Sequence, residues 1–87
     1  MDSLIKLPNI GKILAQKLHH VEVNTAGDLI ALGSENAIIK IAAIDSEGVC
    51  INMLYAIEGA IQNIRWHDLP RERKKDLKLF FQTLNKS

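Results

Sequence analysis

Turn-forming and helix-capping residues interrupt this sequence at short intervals, and they restrict its fold more than any other feature. Prolines, glycines and capping residues separate apolar stretches whose spacing fits the α-helical period. No stretch alternates apolar and polar residues between Asn-Gly or Asp-Gly turns, as a β-hairpin would. The sequence also lacks the repeating strand–helix–strand pattern of α/β proteins. The pattern predicts an all-α fold, a compact bundle of about five helices.

Chain length and composition indicate one small domain. With 87 residues, the chain is too short to enclose a second hydrophobic core. Hydrophobic residues make up 47% of the sequence and charged residues 24%, a balance that excludes a disordered tail. We therefore expect a single helical domain over residues 1–87.

The sequence also indicates a cellular compartment. No apolar run approaches the roughly 18 residues of a membrane span, and the N-terminal residues lack the pattern of a signal peptide. The single cysteine, Cys50, has no partner for an internal disulfide. We therefore expect a cytoplasmic protein that does not bind membranes.

The first predicted helix follows a tight turn at residues 7–11. Pro8 disfavours helix in the residue before it, and Asn9 and Gly11 are residue types that accept a positive φ. The turn is therefore expected to lead into a helix from about residue 11 to about residue 20. Its apolar positions are Ile13, Leu14, Leu18 and Val21.

Two shorter helices are expected next. Thr25 and Asp28 are spaced as a capping box, and they open a short helix that ends near Gly33. Its apolar side comprises Leu29, Ile30 and Leu32. Ser34 is expected to cap a third helix. The apolar residues of that helix are Ala37, Ile38, Ile41, Ala42 and Ile44.

A helix over residues 49–65 has the widest apolar face and is expected to lie at the centre of the bundle. Its apolar residues are Cys50, Met53, Leu54, Ile57, Ala60, Ile61 and Ile64. Gly59 lies within it although glycine costs about 1 kcal/mol of helix propensity relative to alanine. We therefore expect another backbone segment to pack closely against Gly59.

A turn at residues 66–70 precedes the last predicted helix. Asp68 is expected to cap this helix and Pro70 to lie in its first turn. The helix should run to about residue 84 and point four large apolar residues inward. These are Leu77, Phe80, Phe81 and Leu84.

No arrangement of residues predicts catalysis, a metal or a cofactor. The sequence contains no recognisable nucleophile and base, paired carboxylates or nucleotide-binding loop, so we expect a protein that is not an enzyme. His19, His20 and His67 do not have a usual zinc spacing with Cys50. Cys50 is instead expected to be a buried core thiol. Glu58 is expected to belong to a solvated polar stripe, and a functional role is the alternative if it is buried.

Residues 7–18 resemble the helix-hairpin-helix motif. In that motif a tight turn presents backbone N–H groups at a helix N-terminus, where the helix dipole favours an anion. A DNA phosphate could bind Asn9, Ile10, Gly11 and Lys12 there without any base being read. The motif usually has glycine at the position of Asn9. The stretch that commonly follows its second helix resembles residues 21–25 but has glycine at the position of Glu22.

The last helix supplies a second basic element. Residues 64–87 contain seven lysine and arginine residues against three acidic ones. Arg71, Lys74, Lys75 and Lys78 follow helical spacing and should form one basic stripe. The competing interpretation of this stripe is a solvated face that aids solubility. The candidate nucleic-acid site comprises the 9–12 turn together with Lys74, Lys75 and Lys78.

Nearly the whole chain resembles the C-terminal domain of the TfoX/Sxy competence regulators. The resemblance rests on residues 7–11, 25–29, 54–60 and 66–70, and the last two segments are distinctive. It implies a five-helix fold with a helix-hairpin-helix-like or SAM-like N-terminal half, and a role in controlling bacterial DNA-uptake genes. In the longer regulators an N-terminal domain precedes this one, so we expect a stand-alone copy here.

Two kinds of regulatory partner remain open. A module that binds the backbone of duplex DNA should have the 8–12 turn and the basic stripe on one face. A module that binds another protein, or a second copy of itself as a homo-oligomer, should expose an apolar patch or complementary charged faces. The relative position of the turn and residues 71–78 is therefore the most informative structural observation.

Overall fold

The computed structural model describes residues 3–86, which form five α-helices joined by short connections. The helices are α1 (Lys12–His20), α2 (Ala26–Leu32), α3 (Ser34–Ile44), α4 (Ile51–Gln62) and α5 (Arg71–Lys86). Single 3₁₀ turns at Ser46–Gly48 and Trp66–Asp68 precede α4 and α5. No strand occurs in this part of the chain, and the predicted all-α bundle of five helices is confirmed.

Helix α4 occupies the centre of the bundle, as the width of its apolar face predicts. It packs against α2, α3, α5 and the Trp66–Asp68 turn. Leu54 and Ile57 are fully buried on it, together with the small residue Ala60. The helix is shorter than the predicted 49–65 because Asn63 adopts a left-handed conformation, with φ 60° and ψ 39°, that ends it.

The turn before α1 has part of the predicted geometry. Asn9 has a φ of 70°, in the left-handed region that asparagine tolerates. Gly11 has a φ of −96°, so the turn does not use the positive φ that glycine accepts. The helix buries Ala15 and Leu18, whereas Ile13 is 71% exposed. Ile13 lies about 200° around the helix from Ala15, which explains why its predicted burial is wrong.

The predicted capping box at the start of α2 is confirmed. The Asp28 N–H donates to Thr25 Oγ1 at 3.0 Å, and the Thr25 N–H donates to Asp28 Oδ2 at 3.2 Å. Only part of the predicted apolar side of α2 is buried in the core. Leu29 is fully buried, whereas Ile30 is 55% exposed.

Ser34 does not cap α3 as predicted. It is the first residue of the helix, and Gly33, with a φ of 86°, takes the capping position. The Ser34 hydroxyl is therefore free to bond elsewhere, and it donates to Glu58 in the interior. Ala37, Ile38 and Ile41 are buried as expected, whereas Ile44, at the end of the helix, is 59% exposed.

Gly59 makes the close backbone contact that its position in α4 predicts. A Cβ atom on this residue would lie 2.5 Å from Asn9 Nδ2, 2.8 Å from the Ile64 carbonyl oxygen and 3.1 Å from Trp66 Cα. Two of these neighbours are backbone atoms with little freedom to move. The absence of a side chain at Gly59 thus allows the 7–11 turn and the 64–66 segment to pack on α4.

Helix α5 completes the core. It buries Leu77 and Phe81, and Phe80 and Leu84 pack against the core from partly exposed positions. The Lys74 N–H donates to the Pro70 carbonyl at 3.0 Å, so Pro70 precedes the first helical turn. Asp68 belongs to the preceding 3₁₀ turn and is not the cap that the sequence predicts.

None of the helices within residues 3–86 combines the length and the hydropathy that a membrane span requires.

Candidate functional site

Asn9 fixes the turn that the sequence singles out. Its Nδ2 donates to the Ile64 carbonyl at 2.9 Å and to the Ala56 carbonyl at 3.4 Å. Its Oδ1 accepts the Trp66 N–H at 3.2 Å. The side chain therefore points into the protein, and its role is to hold the turn against the end of α4 and the 64–66 segment.

The residues after Asn9 divide between the core and the surface. Ile10 as a whole residue is only 5% exposed, so it lies in the core and presents almost no surface to a ligand. Gly11 is the N-cap of α1 and Lys12 is its first residue, and both are exposed. The first N–H groups of a helix have no partner within the helix, so this end of α1 carries partial positive charge beside Lys12.

Trp66 connects the turn to α5. The Lys74 ammonium lies 5.6 Å from the centre of the Trp66 ring and donates to the His67 carbonyl at 3.3 Å. The Trp66 ring also stacks on Tyr55, with ring centres 5.9 Å apart. Lys74 is thereby brought towards the turn, through the same tryptophan whose N–H is bonded to Asn9.

The other members of the predicted basic stripe are exposed on α5. Lys75 and Lys78 lie further along the helix, and Arg71 is its exposed first residue. The exposed residue Arg65 directly precedes Trp66 and so lies near the turn. Sequence reasoning missed Arg65, because only the hydrogen bond between Asn9 and Trp66 brings that segment to the turn.

An apolar groove lies at the beginning of α1. Its volume is about 480 Å³, within the size range of pockets that hold small ligands. We call it the α1 groove, and its lining residues are Gly11, Lys12, Ile13, Leu14, Cys50 and Met53. Lys12 is the one charged residue in this lining, so an apolar surface directly adjoins the predicted phosphate-binding turn.

The apolar surface continues beyond the α1 groove. Ile13 also lines a neighbouring hollow of about 370 Å³ that is formed with α3 and includes the exposed Ile44. At its edge the Lys17 ammonium lies 2.8 Å from Asp45 Oδ2. The hydrogen bond from Lys17 and its positive charge lower the pKa of Asp45. Lys17 and Asp45 thus have each other as partners, whereas Ile13 and Ile44 face solvent.

Cys50 is exposed, so the prediction of a buried core thiol is wrong. The predicted helix began at residue 49, but α4 begins at Ile51, and this places Cys50 at the N-cap outside the buried face. Across residues 3–86, no group of three or more histidine, cysteine or acidic side chains is arranged to hold a metal ion.

Glu58 is buried, and the expectation of a solvated polar stripe is wrong for this residue. Its side chain accepts hydrogen bonds from Ser34 and Gln62, each at 2.6 Å, and from Arg73 at 3.1 Å. Burial raises the pKa of Glu58, but the hydrogen bonds from Arg73, Ser34 and Gln62 outweigh it and leave the pKa below its usual value. The network joins α3, α4 and α5, which indicates a structural role.

A sequence signal for this burial was present. Glu58 is four residues after Leu54 and one before Gly59, both on the inner side of α4. Its partners Ser34 and Arg73 lie on other helices, and the sequence gives no sign of that pairing.

Glu22 stands where the continuation of the helix-hairpin-helix motif commonly has glycine. It adopts a φ of 66°, which explains the preference for glycine at this position.

Comparison with known proteins agrees with the fold and the motifs. The model of the TfoX C-terminal domain family matches residues 1–81. An uncharacterized protein from Listeria monocytogenes, crystallised in a triclinic form, superposes with a TM-score of 0.92 at 46% identity, covering 94% of this chain and 92% of its own. A tetragonal structure of a protein of unknown function from Listeria monocytogenes gives a TM-score of 0.89 at 46% identity, with coverages of 92% and 98%. No curated protein matches the chain. The chain belongs to the TfoX C-terminal domain family.

Proposed function

We propose that this chain is a non-enzymatic regulatory module that acts in the cytoplasm by binding a protein partner through the α1 groove. The family of the chain is of a regulatory type, and this supports a competence-regulator-like module. The observation that carries the proposal is the apolar groove whose rim residue Ile13 is 71% exposed. An exposed apolar surface beside polar residues is typical of a protein interaction site.

The energetics of Ile13 support this interpretation. Full burial of an isoleucine side chain is worth about 1.5–3 kcal/mol, and most of that is available at Ile13 because it is largely exposed. Met53 and Leu14 are partly buried and offer further apolar contacts at the groove. A few such anchors supply most of the affinity of a typical protein interface.

The test is a selection of peptides from a randomised display library on the immobilised protein. Ile13→Glu introduces a charge at the groove, and Ile30→Glu makes the same change on α2 at a residue that is 55% exposed. We expect selected peptides to lose binding to the Ile13 variant and to keep binding to the Ile30 variant. Circular dichroism verifies that both variants fold. The proposal fails if no peptide is selected, or if the selected peptides bind both variants equally.

A second candidate function is non-specific contact with the backbone of duplex DNA. It is supported by the exposed Lys12 at the start of α1 and by the link from Asn9 through Trp66 to Lys74. With few charged contacts, the dissociation constant should be about micromolar or weaker at physiological salt. Lys75 and Lys78 would extend the contact along α5.

Fluorescence anisotropy with a short labelled duplex tests this candidate. Lys12→Glu should weaken binding more than Lys40→Glu, an exposed lysine on α3. A variant with glutamate at both Lys74 and Lys75 should bind less tightly and show a flatter salt dependence, because fewer counterions are released. If the unmodified protein does not bind DNA at low salt and high concentration, this candidate is excluded.

A further inference from the structure

We infer that the α1 groove accepts an amphipathic helical segment whose apolar residues are flanked by aspartate or glutamate. This inference names the partner class of the site proposed above, so it rests on the proposed function.

The charges on α1 favour an acidic partner. The helix carries two lysines, Lys12 and Lys17, and no acidic residue. Lys17 is paired with Asp45, which leaves Lys12 as the charged group that lines the groove. No acidic side chain within residues 3–86 forms an ion pair with Lys12, so a carboxylate that docks beside it would not have to displace one of them.

Two helices begin at this groove, and their ends add positive potential. Helix α1 begins after Gly11, which has no side chain to cap it, and α4 begins after Cys50, whose side chain accepts no hydrogen bond from the helix. Neither helix has an acidic residue in its first turn, whereas α2 has a complete capping box. The partial positive charges at both helix ends act together with Lys12 on whatever occupies the groove.

The apolar lining distinguishes a peptide from other anionic partners. Ile13, Leu14 and Met53 can be covered by leucine, isoleucine or phenylalanine side chains, and a nucleic-acid backbone has no equivalent groups. A second copy docked through the same face would bring Lys12 and the basic α1 surface against their own equivalents. Charge complementarity thus favours a different, acidic chain.

The fold also indicates the conformation of the partner. Residues 3–86 contain no strand, so they offer no sheet edge that could pair with an extended peptide. The backbone beside the groove belongs mainly to helices whose internal groups are already hydrogen-bonded. Side-chain insertion from an amphipathic helix is the recognition mode that such a surface supports.

The inference is tested by reversing the charge of the peptide and, separately, the charge of residue 12. The probe is a fluorescein-labelled synthetic helix of about four turns with leucine at positions i, i+3, i+4 and i+7, flanked by glutamate; a matched peptide has lysine at the same flanks. We expect the unmodified protein to bind the glutamate peptide about tenfold more tightly than the lysine peptide, a difference of about 1.4 kcal/mol. Lys12→Glu should reduce or reverse this preference, whereas Lys40→Glu, on α3, should leave it unchanged.

Cys50 provides an independent measure of occupancy, because it is exposed and lines the groove. Bound glutamate peptide should slow its reaction with iodoacetamide, and Ile13→Glu should restore the rate of the free protein. Absence of protection contradicts binding in the groove. The library selection described above shows in addition whether peptides that depend on Ile13 are enriched in acidic residues.

The outcomes separate this inference from the proposed function. If Ile13-dependent peptides are selected but show no acidic excess, and Lys12→Glu leaves binding unchanged, the partner class is wrong and the interaction function stands. If no peptide depends on Ile13, both are wrong. If sedimentation shows that the protein dimerises and Ile13→Glu makes it monomeric, the occupant is a second copy and the acidic-helix inference is overturned.

Discussion

Replacement of Gly59 by alanine tests how the 7–11 turn is attached to α4. In an ordinary helix this change should stabilise the protein by up to about 1 kcal/mol, because alanine has the higher helix propensity. Here the new Cβ would lie 2.5 Å from Asn9 Nδ2 and 2.8 Å from the Ile64 carbonyl oxygen. Such distances are not tolerated, so the turn and the 64–66 segment would have to move.

The expected magnitude follows from the contacts that must change. Overpacking costs about 1–3 kcal/mol, and loss of one or two of the hydrogen bonds of Asn9 costs about 1 kcal/mol each. After the gain in helix propensity is subtracted, Gly59→Ala should destabilise the fold by about 1–4 kcal/mol. For a domain of this size, a loss of 1 kcal/mol lowers the Tm by about 4–8 °C.

Gly27 in α2 provides the matched control. A Cβ on Gly27 would meet only Thr25 Oγ1, at an ordinary contact distance of 3.7 Å. Gly27→Ala should therefore leave the stability unchanged or raise it, and urea titrations of the Gly59 and Gly27 variants measure the two effects. If Gly59→Ala is as stable as the unmodified protein, the close packing of the turn on α4 is refuted.

Three further perturbations have defined outcomes in denaturant or pH titrations. Ile57→Ala should cost about 2–5 kcal/mol because Ile57 is fully buried, and a loss below about 0.5 kcal/mol would contradict its place in the core. Thr25→Ala should cost about 1 kcal/mol by removing the cap of α2, and an unchanged midpoint would contradict that cap. Because the folded pKa of Glu58 is lowered, its contribution to stability is present above the unfolded pKa of about 4.3 and lost as the pH falls through the folded pKa. Glu58→Gln should lose less stability than the unmodified protein over that range, and an identical pH profile would show that Glu58 is not the responsible group.

The local signals in the sequence account for the positions of the helices. The capping box of Thr25 and Asp28, the turn at residues 7–11 and the helical spacing of apolar residues each act over a few residues. Such interactions depend little on distant parts of the chain. This is why the number and order of the helices could be predicted, with boundary errors of two residues at the start of α4 and three at its end.

The candidate site depended more strongly on long-range contacts. In the sequence, Asn9 is notable only because asparagine tolerates a positive φ, but its bonds to Ala56, Ile64 and Trp66 span 47 to 57 residues of sequence. Those bonds direct the side chain inward and bring the 64–66 segment to the turn. The position of the turn relative to Lys74 therefore could not be deduced from helical periodicity.

Tertiary packing also decided which apolar and charged residues reach the surface. The spacing of Ile13 fits a helical apolar stripe, yet the bundle uses the side of α1 that carries Ala15 and Leu18. Glu58 is buried because Ser34 and Arg73 arrive from two other helices to bond it. The sequence by itself determined the number, the order and the approximate bounds of the helices, because caps and periodicity are local. Only the packing of the helices decided what each face touches, and it thereby created the α1 groove.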